Sequence, residues 1–123
     1  MNEKAKKIIE KHIASDLIIE SVAMTTDFKT HNKEMKKLRK LLEITSQDKE
    51  LCNKVYSQLL SNENAVTLLN SASECLQLNI FINESINILK SLSKRKDIGI
   101  ISFNAEMMLK EYQKKNNKLK TFL

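Results

Sequence analysis

An all-α fold of about six helices is what this sequence predicts, and three observations lead to it. The 123 residues hold one glycine and no proline, against roughly 7% and 5% in an average soluble protein, so few tight turns can be built. Leu, Lys, Glu, Ile and Asn dominate while aromatics make up only 5%, a composition that favours helices over strands. Apolar residues recur at three- and four-residue intervals rather than alternately. The length suits one domain with one core.

The first pattern predicts a helix from about Glu3 to Met24, with Ile8, Ile9, Ile13, Leu17 and Val22 as its apolar side and Ser15-Asp16 as a point where it kinks or restarts. Thr25-Thr26-Asp27 breaks it. A second helix, from about Phe28 to Thr45, sets Met35, Leu38, Leu41 and Leu42 on one stripe and leaves its lysines outside. Thr45 or Ser46 is the expected cap of the third, whose first turn carries Asp48 and Glu50 where the helix dipole favours acids. That helix continues through Leu51, Val55, Leu59 and Leu60.

Ser61 to Asn64 reads as loop and cap before a fourth helix from about Ala65 to Leu78, in which Ala65 and Ala72 allow a neighbour to approach closely. After a link at Asn79 to Phe81, a fifth helix holds Ile82, Ile86, Leu89 and Leu92, with Lys94-Arg95-Lys96 at its C-terminal end. Asp97 is the expected cap of a last helix carrying Ile98, Ile101, Ala105, Met108, Leu109 and Tyr112, which gives way to a flexible polar tail from about Lys114. Gly99 is read as a place of close backbone approach. The connections suit either an up-down bundle or a stack of hairpins.

Catalytic and metal-binding constellations are absent from the pattern. His12 and His31 lie far apart with no metal-ligand spacing around them, and only Asp16 is one turn from His12, as a modest helix-surface pair. Cys52 falls near the start of the third helix, where a thiol pKa can be lowered, but no base is near it in sequence. Cys52 and Cys75 are expected to be buried free thiols, which with the absence of a leader or an apolar run of roughly 20 residues points to a cytoplasmic protein. A single glycine excludes a glycine-rich phosphate loop. We expect no enzymatic activity, no cofactor, no metal and no membrane partner, the lysines and isoleucines of the first helix being read as core and solvent faces.

The net charge of +6 is uneven: bases outnumber acids in the first and last thirds and acids prevail in the middle. Lys29, Lys33, Lys36, Lys37 and Lys40 form a broad basic surface, Lys94, Arg95 and Lys96 a compact cluster, and Lys114, Lys115, Lys118 and Lys120 a basic tail. Such surfaces meet acidic proteins or nucleic acid through charge. Two arginines in all and no interleaved aromatics weigh against specific nucleic-acid readout.

Val66-Thr67-Leu68-Leu69-Asn70-Ser71-Ala72, Ile86-Asn87-Ile88-Leu89 and Gly99 to Tyr112 together resemble the bacterial domain family of unknown function DUF2019, most closely over residues 99–112 and more loosely from Ile13 onwards. Gly99 and Ala105 match small positions of that family and Glu106 its acidic residue; Tyr112 departs from it, standing where an indole is common. The resemblance implies a short HEAT-like α-α superhelix, and for some members a companionship with toxins as immunity proteins. The expected function is therefore a protein-interaction module, possible partners including a toxin, with Lys29, Lys33, Lys36, Lys37, Lys40, Lys94, Arg95, Lys96 and Glu106 as candidate contacts; weakly specific nucleic-acid binding is the alternative.

Overall fold

A computed structural model describes the backbone of residues 2–122 and the side chains of residues 2–116. Six helices follow one another: α1 (Glu3–Val22), α2 (Phe28–Ser46), α3 (Lys49–Leu59), α4 (Ala65–Leu78), α5 (Ile82–Ser93) and α6 (Ile100–Phe122). There is no strand among the described residues. The domain is all-α, as the composition and periodicity predict.

Side-chain caps set most of the helix starts. Asn2 caps α1, Asp27 caps α2 through the Thr30 amide, and Asn64 caps α4 by accepting from the amides of Val66 and Thr67 at 2.9 and 3.1 Å. For α3 the cap is Asp48, which accepts from the Leu51 amide at 3.1 Å, rather than Thr45 or Ser46. Both of those still belong to α2, where their hydroxyls donate back to the carbonyls of Leu41 and Glu43.

Three further local expectations are corrected. Asp16 does not interrupt α1, which is continuous from Glu3 to Val22. Asp97 does not cap α6; its carboxylate is occupied by Arg95, and α6 begins three residues later. Gly99 sits at φ +54 with open space where a Cβ would stand, so its left-handed backbone is what favours glycine there, not close packing. The helical backbone also runs to Phe122, past the expected boundary at Lys114, while the Lys118 and Lys120 side chains lie outside the described residues.

Packing divides the helices into two groups of three. Helices α1, α2 and α3 pack on one another, as α4 does on α5 and α6 and α5 on α6, and the groups join where α4 lies against α1 and α3. The main core runs through both, from Ala5 and Ile8 through Leu51, Val55, Tyr56 and Leu59 to Leu69, Ala72, Leu89, Leu92 and Ala105. A smaller cluster of Ile19, Leu38 and Val66 ties α1, α2 and α4. As the helix enclosed by both groups, α4 buries ten of its fourteen residues, including Thr67, Asn70, Ser71 and Glu74. Replacing Asn64 by Ala leaves two α4 amides without their cap and is expected to cost about 1 kcal/mol, read as a lower urea midpoint with an unchanged slope.

Candidate functional site

The joint between the two helix groups is polar. His12 and Asp16 are four residues apart on α1, and the core-facing stripe of that helix is Ala5, Ile8, His12, Asp16 and Ile19, all buried. The stripe expected from apolar residues alone is rotated from it: Leu17 is 50% exposed. The imidazole Nδ1–H donates to Asp16 Oδ2 at 2.7 Å, and Nε2–H is shared between Oε2 and Oε1 of Glu74, on α4, at 2.9 and 3.2 Å. From α3, the Tyr56 hydroxyl donates to Glu74 Oε1 at 2.7 Å. Asn70 of α4 donates its Nδ2–H to Asp16 Oδ1 at 2.8 Å. Three helices thus meet in one buried network, and the His12–Asp16 pair belongs to the core rather than to the helix surface.

Burial by itself disfavours a charged imidazole, but the hydrogen bonds and negative charges of Asp16 and Glu74 outweigh it and raise His12 from 6.5 to about 10. An imidazolium with both N–H groups engaged is neither a general base nor a metal ligand near neutral pH. Among the described residues no group of three or more His, Cys, Asp or Glu side chains is arranged to hold a metal ion, His12 with Asp16 and Glu74 included. Burial and the adjacent Glu74 push the Tyr56 phenol far above its ordinary range. Burial likewise raises the Cys52 thiol, contrary to the helix-start expectation, and takes Cys75 to about 12. Both thiols are free and buried, as expected, and nothing near them generates a thiolate.

Glu74 and Asn70 also reach the floor of a cleft. A cavity of about 150 Å³ opens above α4 and is walled by Met35, Leu38, Arg39 and Leu42 of α2 and by Met108 of α6; Ser73 and Gln77 complete the floor. It adjoins a second cavity of about 450 Å³, which shares Ser73, Gln77 and Met108 and adds Glu111, Tyr112 and Lys115. Met35, expected in the core, is 36% exposed and forms part of this wall.

The residues expected to contact a partner are spread over α2, the α5–α6 link and α6. Lys29, Lys33, Lys36 and Lys40 recur at helical spacing on one exposed stripe of α2, opposite its buried Leu38, and make no salt bridge with any described residue. Lys37 instead pairs with the buried Glu34 at 3.0 Å, and with Ser15 it holds the Glu34 carboxyl below its usual range. Arg95 forms a two-point pair with Asp97, at 3.0 and 2.7 Å, which lowers the Asp97 carboxyl and raises the guanidinium. Lys94 and Lys96 flank that pair on the surface. Glu106 is exposed and pairs with Lys110 at 3.2 Å.

Sequence reasoning found the His12–Asp16 spacing but not Glu74, Tyr56 or Asn70. The available signal was a polar residue on a stripe otherwise filled by core residues, as at His12 between Ile8 and Ile19. No helix among the described residues is long and apolar enough to cross a membrane. In comparisons with known proteins, no family model, no curated protein and no solved structure matches the chain.

Two outcomes follow. Because the folded His12 pKa lies above its ordinary 6.5, its stabilising contribution is complete below pH 6.5 and is lost as pH rises through about 10. Unfolding free energy measured across that window should fall by up to about 1.4 kcal/mol per pH unit more in the wild type than in His12→Gln. Tyr56→Phe keeps the ring and deletes only the hydroxyl bond to a carboxylate, so it should cost about 1.5–3 kcal/mol by urea titration.

Proposed function

We propose that the protein is a non-enzymatic interaction module that holds a segment of a partner protein in the cleft between α2 and α6. The observation that supports this is the cleft itself: walls of Met35, Leu38, Leu42 and Met108, with Arg39 among them, around a polar floor of Asn70, Ser73, Glu74 and Gln77. Methionine side chains repack readily around different contours, which suits a binding wall. Next to the cleft, the exposed Lys29, Lys33, Lys36 and Lys40 stripe favours an acidic partner by steering its approach. An immunity protein that masks a toxin needs no more than this, and the resemblance to DUF2019 is what recommends a toxin as the partner.

An open superhelix of the HEAT type is the arrangement that the resemblance to DUF2019 recommends, and the order of packing is compatible with it. Each group of three helices packs chiefly within itself, and α1 and α6, the first and last, are not among the principal contacts. An open arrangement leaves the Ser73–Gln77 edge of α4 accessible between α2 and α6, where a partner segment completes the packing.

A second reading has its own observation, since four unpaired lysines in one stripe also suit a phosphate backbone. A photo-crosslinking amino acid placed at Gln77 in the cleft, or at Lys36 on the stripe, separates the two in the native cell. The protein-module reading expects a discrete protein adduct from Gln77 that survives nuclease and competes away with unlabelled protein. Nuclease-sensitive adducts from Lys36, with none from Gln77, would reverse the order of the two readings.

A further inference from the structure

Helix α6 carries a second apolar side. Ala105 is buried and Ile101, Met108, Leu109 and Tyr112 pack beside it against the core, yet Ile100, Phe103 and Met107 are 41%, 57% and 42% exposed. At i, i+3 and i+7 these three fall on one stripe of the helix, turned away from the core side. They form a ridge about 10 Å long at 1.5 Å per residue. Lys110 and Lys114 take the next positions of the same stripe and end it. Large apolar side chains exposed singly need no explanation, but a contiguous row of them marks a contact surface. The chain itself does not cover the row, because the α6 backbone stays helical to Phe122 and does not turn back over it.

Two features of the ridge select a second copy of this chain as its occupant. The first is that its spacing matches itself. When two α6 helices run antiparallel about a two-fold axis between Phe103 and Asn104, Ile100 of each copy faces Met107 of the other. The two Phe103 rings then lie side by side across the axis, and the same patch serves both copies. The second feature is charge. Lys96, just before α6, and Glu111, one turn past Met107, are both exposed and form no salt bridge with a described residue. Glu111 stands about 16 Å along α6 from Ile100, so Lys96 and Glu111 of one copy do not meet. The same two-fold axis brings Lys96 of each copy level with Glu111 of the other, and a free base is matched to a free acid twice.

We infer that Ile100, Phe103 and Met107 are the contact of a two-fold dimer of this chain, in which α6 packs antiparallel on α6 and Lys96 of each copy pairs with Glu111 of the other. The inference goes beyond the cleft reading and stands apart from it. Met108, which walls the cleft, lies about 100° around the helix from Met107, so both clefts stay open in the dimer. A ridge of three residues is smaller than a standard interface, so the dimer is weak, with Kd in the range of about 10–100 μM.

Sedimentation equilibrium of the full chain tests this, over concentrations from about 1 to about 300 μM, which bracket that affinity. A monomer at the lowest concentration and a dimer at the highest are expected. Phe103→Asp changes an exposed side chain, so the fold is retained, as a thermal melt checks, and the variant should stay monomeric throughout. Glu111→Lys and Lys96→Glu should each weaken the dimer about fivefold, since two exposed ion pairs are lost at once, and the two changes combined in one chain should restore it. A chain that stays monomeric at the highest concentration overturns the inference. So does a dimer that Phe103→Asp leaves intact, or a double reversal no tighter than the single ones, which would show that another register or another surface joins the copies.

Discussion

Three charges are desolvated where His12 enters between Asp16 and Glu74, and the rest of the structure is arranged around meeting that cost. A buried charge is tolerable when its partners are close and its remaining hydrogen-bonding groups are satisfied. Both imidazole N–H groups are taken at 2.7 and 2.9 Å, Tyr56 supports Glu74, and Asn70 supports Asp16. The donors and acceptors come from α1, α3 and α4, so satisfying the charge requires those helices to be in register. Apolar contacts such as Ile8 against the α3 and α4 core hold the helices together without specifying one sliding position. The network supplies that specification, because a shift of one helical turn would strand a buried carboxylate.

The same network explains the cleft. Helix α4 must bury Glu74 and Asn70 toward α1 and α3, yet both residues sit at the edge of its buried arc, beside the more open Ser73 and Gln77. A polar edge of this kind would be poorly matched by another apolar helix, and α2 and α6 flank it rather than close over it. The open cleft and the specification of the fold are in this way two consequences of one placement of charge. Separate from both is the lysine stripe of α2, whose charges face solvent.

The sequence made the helices legible because its strongest regularities are local. Ala65–Leu78 has the bounds expected of it: Asn64 is its cap, and Asn79, expected in the link, ends it in the αL conformation. Boundaries failed where two plausible caps compete within a few residues, as at Thr45, Ser46 and Asp48. The buried network was hidden for a different reason. Apolar residues alone gave α1 a stripe through Ile8, Ile9, Ile13, Leu17 and Val22; of these only Ile8 is buried, beside Ala5, His12, Asp16 and Ile19, because the polar pair finds Glu74 and Asn70 inside the core while Leu17 turns to solvent. Glu74 lies 62 residues from His12, and no local period announces a pairing across such a distance.

The protonation state of His12 is the measurement on which the joint between the helix groups turns. At a pH midway between 6.5 and about 10, the ring nitrogens can be read by nitrogen-15 NMR of histidine-labelled protein. Both are expected still to carry protons, with slow exchange with solvent, and their resonances to change when Glu74 is replaced by Gln. A neutral ring with one bare nitrogen at that pH would contradict it, leaving the joint between the helix groups without the charge on which its register depends.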